Sequence, residues 1–356
     1  MHNPYAAAPI TGRNRWLSVG AGLLGVLIVL GSGILPEVAA EETRPPDTPP
    51  ETAAAMTPPM AGTGRDAFPS LEGLEPDRLV ARVRICDRLE RIMAGWHEVS
   101  GKRLFESGER EKAMEHARAM RVHLLRARTL YETALKQLPN SPDLKNYFGE
   151  LLYDKFGEQD QAVKLWEEVL RLDSRHARAH NNLAIHDSHE GRYEQAVAHL
   201  DEAIKREPDN ADYLYNLAQI YLVHWPQVMR IRLWSMDRLY AEAMELSRRA
   251  AALRPRDLAL QRDYALNFFL AENLSSKPDW KAAAKAWENV RRVARRQDDL
   301  FNAWLNEGRV WLRAEQPDRA RKCFDAALAI RPDSEIARGL VQDAEDMKRS
   351  EHRNAR

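Results

Sequence analysis

From about residue 79 onward, apolar residues recur every three or four positions, and charged residues fill most of the positions between them. This spacing places the apolar side chains on one face of a helix and is typical of amphipathic α-helices. Gly and Pro are sparse in this region, and the alternation typical of a half-buried strand is absent. The pattern therefore predicts an all-α domain.

A longer period lies over the helical one. Leu183 and Ala184 recur 34 positions later as Leu217 and Ala218. Between these pairs, the marker residues of one unit are Gly191, Tyr193, Ala196, Leu200, Ala203 and Pro208. A unit of this length forms two helices that cannot bury their apolar faces alone, so we expect successive units to stack.

This unit resembles the tetratricopeptide repeat (TPR), which has a small residue in its first helix (helix A), alanines in its second (helix B) and a closing proline. The other units carry these markers: Ala127, Tyr131, Ala134 and Pro139; Phe148, Gly149, Ala162, Trp166 and Val169; Tyr221, Ala243, Ala250 and Pro255; Tyr264, Ala265, Phe268, Ala283, Trp287 and Val290; Trp304, Gly308, Trp311, Ala320, Phe324, Ala327 and Pro332. The resemblance covers residues 107–334, as about six repeats, two of them with insertions. It implies an all-α, right-handed α-solenoid of stacked helix–turn–helix repeats with helical caps.

Apolar stripes outside the repeats predict the two caps. The stripe of the N-terminal capping region, residues 79–106, consists of Leu79, Val83, Leu89, Ile92, Met93 and Trp96. The C-terminal capping helix and tail, residues 335–356, carry a second stripe, which consists of Ile336, Leu340, Val341, Ala344 and Met347. Such stripes are typical of helices that cover one exposed end of a repeat array.

The pattern departs from the repeat at three places. The helix marked by Ala127 and Ala134 has a longer, atypical partner, which we expect around residues 100–120. Glu307 stands where an apolar residue is usual, so a looser core is expected there. The stretch AENLSSKPDW, which ends at Trp280, is predicted to be an ordinary loop.

The N-terminus predicts export. Arg13 and Arg15 precede an uncharged stretch, residues 16–35, and a small-residue cleavage pattern ends at Ala40. Residues 1–40 are therefore either a cleaved signal peptide or an N-terminal membrane anchor, and both readings place the remainder outside the cytoplasm, in the periplasm. Residues 41–78 are rich in Pro, Thr and Ala and predict a disordered linker. Membrane contact is expected only through residues 16–35, if they are retained.

Charge and motif content exclude several functions. The 53 basic and 53 acidic residues cancel, which argues against nucleic-acid binding. We find no nucleophile elbow, phosphate loop or dinucleotide motif, and therefore predict a non-enzymatic protein without a cofactor. Cys86 and Cys323 lack metal-site spacing. They lie near opposite ends of the predicted stack and are expected to be unpaired thiols.

Four histidines in residues 176–189 raise the question of a metal site. His176 and His180 are four positions apart, and His186 and His189 are three apart. On one helix the two pairs lie roughly 10–15 Å apart and point in different directions, so four ligands cannot converge. Surface histidines are the favoured interpretation, and a two-histidine site shared with a neighbouring group stays open.

Partner-binding residues follow from the resemblance, because TPR stacks usually bind an extended peptide or a partner helix on the face lined by the A helices. The residue two positions before the small residue of helix A is, in successive units, Tyr147, Asn182, Asn216, Asp263 and Asn306. Further candidates on this face are Asn146, Arg178, Asn181, His189, Arg262 and Arg309. An asparagine amide both donates and accepts, so a ladder of them could hold a peptide backbone. The alternative is that these residues bond the neighbouring helix.

A second candidate surface lies where the period breaks. The spacing from Pro208 to Pro255 is 47 residues, thirteen more than the repeat needs. The excess, residues 222–237, contains the residue types enriched in protein interfaces, namely Trp225, Arg230, Arg232 and Trp234. Either this insertion binds a partner, or it packs against its own helices.

The sequence thus predicts an exported TPR scaffold that binds protein or peptide partners through its groove and assembles envelope complexes. One alternative is a component of polysaccharide-export or secretion machinery. Another is a metal- or cofactor-handling accessory protein that uses the histidine-rich unit. The identity of the partner and the oligomeric state do not follow from the sequence.

Overall fold

The computed structural model describes residues 71–274 and 279–354, and within these ranges the chain is all-α with no β-strand. The described chain divides into two compact units, with the boundary between Leu183 and Ala184. The predicted signal or anchor and most of the predicted linker lie outside the described residues. Among the helices that are described, none is long and apolar enough to cross a membrane.

The first unit consists of antiparallel helix pairs. Its helices are α1 (Pro76–Glu106), α2 (Arg110–Gln137), α3 (Pro142–Leu151), α4 (Gln159–Leu172) and the first half of α5 (Ala177–His189). A π-helical turn, Leu152–Phe156, extends α3. It ends at Gly157, whose positive φ of 68° suits glycine. In repeat terms, α1, α3 and α5 are A helices, and α2 and α4 are B helices.

The second unit continues from the end of α5. Its helices are α6 (Tyr193–Arg206), α7 (Ala211–Val223), α8 (Trp225–Arg232), α9 (Met236–Leu253), α10 (Leu258–Asn267), α11 (Ala271–Leu274), α12 (Trp280–Val293), α13 (Gln297–Arg313), α14 (Pro317–Ile330) and α15 (Glu335–Asn354). A 3-10 turn, Phe268–Leu270, joins α10 to α11. The A helices of this unit are α7, α10 and α13.

In two of the repeats, the glycine of helix A allows a large side chain of helix B to approach closely. A Cβ atom added to Gly149 would lie 2.5 Å from Nε1 of Trp166. At the equivalent Gly308, an added Cβ would overlap the ring of Phe324. Both large rings are buried. The marker residues of the repeat are therefore fixed by steric contact between the paired helices.

The N-terminal pair differs from the expectation. A helix was expected around residues 100–120, but the chain turns at residues 107–109, where Gly108 has a φ of 86°. Helix α1 is therefore the partner of α2, and the region predicted to be a cap is helix A of the first pair. Folded structure also begins earlier than the predicted linker end at residue 78, because Leu71 is buried in the core.

The buried stripe of α1 is only partly the predicted one. Leu79 and Val83 are buried as expected, but Leu89 and Ile92 are exposed. The inward-facing positions are completed by Asp87, whose carboxylate accepts a hydrogen bond from the buried Tyr131 hydroxyl at 3.0 Å. A charged residue can replace an apolar one there because its oxygen atoms have partners.

Differences of the same kind occur towards the C-terminus. In α15, Ala337 is buried in the core cluster that contains Phe324, and Ile336 is exposed. The predicted loop after Leu270 begins with a helical turn, α11, in which Ala271 and Leu274 are buried. Glu307 is buried and paired with Arg291, so a polar partner accommodates it where a looser core was expected.

Candidate partner-binding site

In the first unit, the predicted candidates Asn146 and Asn182 are brought together. The Nδ2 atom of Asn182 donates to Oδ1 of Asn146 and to Oε1 of Glu150, each at 3.1 Å. Asn146 donates to the same Glu150 oxygen at 2.8 Å. Both asparagines are buried, so this network joins helices α3 and α5. The donors of Asn182 are thus engaged within the protein, which is the alternative raised for these residues.

A carboxylate with incomplete pairing lies one turn further along. Asp154 is on the π-helical turn, and its Oδ2 atom is buried, accepts no hydrogen bond and lies 3.9 Å from Nη1 of Arg91. Burial raises the pKa of Asp154 from its ordinary value of 3.8 to about 7, and the nearby Glu150 contributes to the increase. Arg91 offsets this only in part, because its Nε atom donates to Asp87 at 2.9 Å.

Replacing Asp154 with asparagine is expected to stabilise the protein above neutral pH. Between pH 3.8 and about 7 the folded state keeps a proton that the unfolded state loses, so stability falls as pH rises through that window. Above it, the buried carboxylate is charged and only partly compensated by Arg91. We expect Asp154→Asn to raise the free energy of unfolding by about 1–2 kcal/mol at pH 8 and to change it little near pH 4. Urea denaturation at both pH values measures this, and an equal change at both would contradict it.

A row of three side chains, one from each A helix of the first unit, lies nearer to the surface than the buried asparagine network. The Cζ atom of Arg84 on α1 is 4.4 Å from the ring centroid of Tyr147 on α3. The Cζ atom of Arg178 on α5 is 5.1 Å from the same centroid. Tyr147 is half-buried, Arg84 is exposed, and the side chain of Arg178 is 43% exposed. We call Arg84, Tyr147 and Arg178 the arginine–tyrosine row.

In the second unit, the candidates fall into separate clusters. The Tyr215 hydroxyl hydrogen-bonds to the buried Asp263, which joins α7 to α10, and the half-buried Arg262 lies beside it. Further along, Arg309 donates from Nη1 to Oδ1 of Asn306 at 3.1 Å, within α13. Asn216 is half-buried on α7. The predicted ladder is therefore a set of local polar contacts along the A helices.

Two candidates lie on α5, with different surroundings. Asn181 is buried, and His189 is exposed at the C-terminal end of the helix. Each has a polar or aromatic interaction within the described chain. Asn181 is thus the less accessible of the two to a partner.

The insertion packs partly against its own unit. Arg232 donates from Nη2 to both carboxylate oxygens of Asp201 at 2.6 Å and to the Tyr221 hydroxyl at 2.9 Å. Trp234 packs edge-on against Tyr221. Trp225 is half-buried, whereas Arg230 is exposed and donates to the carbonyl of Pro226, in its own helix. The Arg232–Trp234 half of the insertion thus has a packing role.

Leu233 ends α8 in an unfavourable conformation. Its φ of 53° lies in the left-handed region, and its side chain is 90% exposed. We expect Leu233→Gly to stabilise the protein by about 0.5–1 kcal/mol, because glycine adopts this conformation without a Cβ clash. Leu233→Ala keeps the Cβ and should bring no such gain. Thermal denaturation of both variants measures the difference, and equal melting temperatures would contradict the prediction.

The histidines of residues 176–189 make local contacts. Nδ1 of His176 accepts a hydrogen bond from the Ala179 amide at 3.1 Å, at the start of α5. Nε2 of His180 lies 3.2 Å from the Ser174 carbonyl. Within the described ranges, no group of three or more His, Cys, Asp or Glu side chains is arranged to hold a metal ion. Nothing in this geometry therefore favours the metal-handling alternative.

A different histidine cluster, not evident from the sequence, joins α1 to α2. Nδ1 of His97 is 2.9 Å from Nδ1 of His116, and the His97 ring stacks on His123 with centroids 5.5 Å apart. Burial, followed by the charges of His116 and His123, lowers the pKa of His97 to about 4. His97 is therefore neutral at physiological pH and adds no charge to this cluster.

Both cysteines are free. Burial raises the pKa of the Cys86 thiol, and burial together with Glu307 raises that of Cys323 to about 12. A thiol with a raised pKa is a poor nucleophile, because the thiolate is the reactive form. Neither cysteine therefore has the properties of a catalytic residue.

Two segments of the chain match family models. A TPR repeat model matches residues 189–222, and a tetratricopeptide repeat model matches residues 301–334. The first match spans α6 and most of α7, and the second spans most of α13 and all of α14. Both lie within the range identified from the marker residues, and they confirm the resemblance. A search of curated protein sequences gives no significant match.

Solved structures of TPR proteins are similar at low sequence identity. YrrB, described as a TPR protein with an unusual peptide-binding site, is 19% identical; the match covers 60% of this chain and 97% of that one, with a TM-score of 0.44. PilF of Pseudomonas aeruginosa is 17% identical; the match covers 71% of this chain and 99% of that one, with a TM-score of 0.44. Yeast Tom70 is 15% identical; the match covers 78% of this chain and 60% of that one, with a TM-score of 0.40. At these TM-scores the structures carry no argument, and the assignment of tetratricopeptide repeats to residues 189–222 and 301–334 rests on the repeat models.

Proposed function

We propose that this tetratricopeptide repeat protein is a non-enzymatic scaffold that binds an extended segment of a partner protein along the A helices of its first unit. Tetratricopeptide repeats mediate protein–protein interactions, which supports a protein or peptide ligand. The observation that carries the location is the arginine–tyrosine row. Each of the three A helices α1, α3 and α5 contributes one half-buried or exposed polar side chain to this row. The buried asparagine network lies beneath the row, further from solvent.

The buried network supports this role by fixing the surface. The Asn182 and Asn146 amides join α3 to α5 through Glu150. This network fixes the relative positions of the two helices, and with them those of Tyr147 and Arg178. A preorganised surface loses less conformational freedom when it binds an extended chain. In this account the asparagines position the binding residues, and Tyr147, Arg84 and Arg178 make the contact.

We further propose that the protein acts outside the cytoplasm and assembles envelope complexes. The support is the basic, uncharged and small-residue pattern of residues 1–40. N-terminal sequencing of the native protein tests this directly. A mature N-terminus at Glu41 identifies a cleaved signal, and an intact one that resists extraction from membranes identifies an anchor. Recovery of the intact chain in the soluble cytoplasm would contradict export.

Affinity capture with the full chain tests the proposed function. We expect Tyr147→Ala to lose a partner that wild type retains, because the ring supports both arginines. Glu167→Ala, an exposed position on the B helix α4, is the matched control and should retain it. Trp225→Ala reports on the insertion. If only Trp225→Ala loses the partner, the binding surface is the insertion and the proposed location is wrong.

A further inference from the structure

The outward face of α1 carries an apolar stripe that the fold leaves in solvent. Ile85 is 61% exposed, Ile92 is 41% exposed and Leu89 is 37% exposed. Trp96 and Val99 continue the stripe towards the end of the helix and are half-buried. The five residues are separated by four, three, four and three positions, and we call them the α1 seam. A contiguous apolar row of this kind marks an interaction surface.

The seam faces away from the core of its own unit. Val83, on the opposite side of α1, is fully buried in the cluster that contains Tyr131 of α2. At 100° per residue, the seam residues lie roughly 120–180° around the helix from Val83. The arginine–tyrosine row uses a different side again, because Arg84 reaches Tyr147 on α3. The seam therefore belongs neither to the core nor to the row.

The first and last helices of the array differ in what they present to solvent. Terminal units of a repeat array ordinarily have a polar outer face, because no further unit covers them. Helix α15 follows this rule: Ala337 and Ala344 are buried in the cluster around Phe324, and Leu340 packs against it. Helix α1 instead turns two isoleucines and a leucine outward. The seam therefore has the property of an interface rather than of a polar cap.

The spacing of the seam suits a second helix. Alternating steps of four and three positions keep one side of a helix facing a partner helix, as in coiled coils. The helix needs no folding on association, because α1 spans 31 residues and is paired with α2. The Trp96 ring packs against the rings of His97 and His116, at centroid distances of 4.8 Å and 5.3 Å. A preformed seam of this kind loses little conformational freedom on packing.

The narrowness of the seam favours a helix over a lipid surface. Its five residues lie within roughly 80° of arc, with the exposed Arg88 on one side and the exposed Arg82 on the other. A narrow stripe is typical of a coiled-coil seam, whereas a helix in a membrane interface sinks a whole apolar face below the headgroups. The observations therefore favour a helix as the occupant.

A second copy of the same helix fits the seam. If two α1 helices pack antiparallel with Leu89 against Ile92 of the second copy, Ile85 lies against Trp96 of the second copy. A two-fold axis generates each contact twice, as in most homodimers. In this register Arg88 lies opposite Gly95 of the second copy. No described atom lies within 4 Å of a Cβ added to Gly95, so the cation meets open space instead of a like charge.

We propose that the α1 seam joins two copies of this chain in an antiparallel, two-fold symmetric dimer. The dimer is independent of the proposed function, since the seam and the arginine–tyrosine row lie on different sides of α1. Each dimer carries two such rows. A partner with two binding segments is then held more tightly than by a single copy.

Analytical ultracentrifugation of the full chain in a non-denaturing detergent tests the proposal. We expect wild type to sediment as a dimer. Ile85→Asp and Ile92→Asp should each weaken dimerisation about hundredfold, because each substitution places two carboxylates in apolar layers. Ile336→Asp, at an exposed isoleucine of α15, is the matched control and should stay dimeric. Circular dichroism confirms that the variants fold. A monomeric wild type, or a dimer that persists in both seam variants, would overturn the proposal.

Vesicle flotation identifies the occupant if wild type is monomeric. The vesicles contain equal parts of phosphatidylcholine and phosphatidylglycerol. Vesicle binding that Ile85→Asp abolishes would assign the seam to a lipid surface. Vesicle binding that is absent, or unchanged in Ile85→Asp, would assign the seam to a helix of another protein. Either result replaces the second copy and contradicts the dimer.

Engineered cysteines test the antiparallel register. In a Cys86→Ser/Cys323→Ser background, chains carrying Arg82→Cys are co-expressed with chains carrying Val99→Cys. The register places these two positions opposite each other, so we expect a disulfide between the two kinds of chain. Each kind alone should form little disulfide, because its two cysteines lie roughly 25 Å apart along the dimer. Self-crosslinking of each kind, or a mixed yield no higher than with Ile336→Cys, would overturn the antiparallel arrangement.

Discussion

Replacing Gly308 with alanine is expected to destabilise the last repeat by about 2–3 kcal/mol, because overpacking of a close helix contact has this typical cost. Alanine ordinarily stabilises a helix relative to glycine. Here its Cβ would lie under 3.0 Å from atoms of the Phe324 ring, and Phe324 is fully buried. The ring cannot move without displacing the helices around it. The steric cost therefore exceeds the gain in helix propensity.

The matched control is Gly339→Ala in α15. No atom lies within 4 Å of a Cβ added to Gly339, so this variant should gain about 0.5–1 kcal/mol from helix propensity alone. Amide hydrogen exchange in α13 and α14 measures the local effect, since repeat arrays can unfold in parts. Phe324→Leu combined with Gly308→Ala should recover part of the loss. Equal protection in Gly308→Ala and Gly339→Ala would show that the helix pair is not packed as described.

Removing the neighbouring carboxylate is expected to have an effect of similar size. Arg291 donates from Nε to Oε2 of Glu307 at 2.8 Å, and its guanidinium lies 3.6 Å from the ring centroid of Trp304. The side chain of Arg291 is 21% exposed, and that of Glu307 is 10% exposed. Glu307→Leu leaves the arginine charge without its partner in a mostly buried place. Removing one member of a buried ion pair lowers the free energy of unfolding by about 3 kcal/mol. The loss is somewhat smaller here, because water can still reach part of the Arg291 side chain.

The double variant Arg291→Met/Glu307→Leu separates charge from packing. Replacing both members of a buried pair with apolar residues of similar size is often neutral, so we expect it to recover most of the stability. Urea denaturation of both single variants and the double variant completes the thermodynamic cycle. If Glu307→Leu alone is as stable as wild type, Glu307 does not have the role in the core that its pairing indicates.

The sequence predicts the repeat core well because its signal is steric and local. Gly149 and Gly308 stand at equivalent positions, and each allows a close contact between two paired helices. A pattern of this kind needs only spacing to be recognised. The start of the array was harder to predict, because α1 turns Asp87 inward and exposes Leu89, so hydropathy alone misassigns part of the buried face.

The candidate site is less predictable, because its residues come together only in the folded chain. Arg178 was a candidate from its helix position, but Arg84 joins it across Tyr147 from a helix that the sequence assigned to a cap. For the polar ladder, the sequence left two interpretations open, contact with a partner peptide or bonding to the neighbouring helix. In the first unit, Asn182 is committed to Asn146 and Glu150, and the sequence does not reveal such partners.

Site-specific photo-crosslinking in living cells tests whether a partner protein binds along the A helices of the first unit. A photoreactive amino acid at Asp143, exposed beside the arginine–tyrosine row, is compared with one at Glu167, exposed on the B helix α4. We expect a discrete crosslinked protein from position 143 that is lost in Arg84→Gln, and none from position 167. A crosslink only from position 167, or equal crosslinks from both, would show that partners do not bind along the A helices.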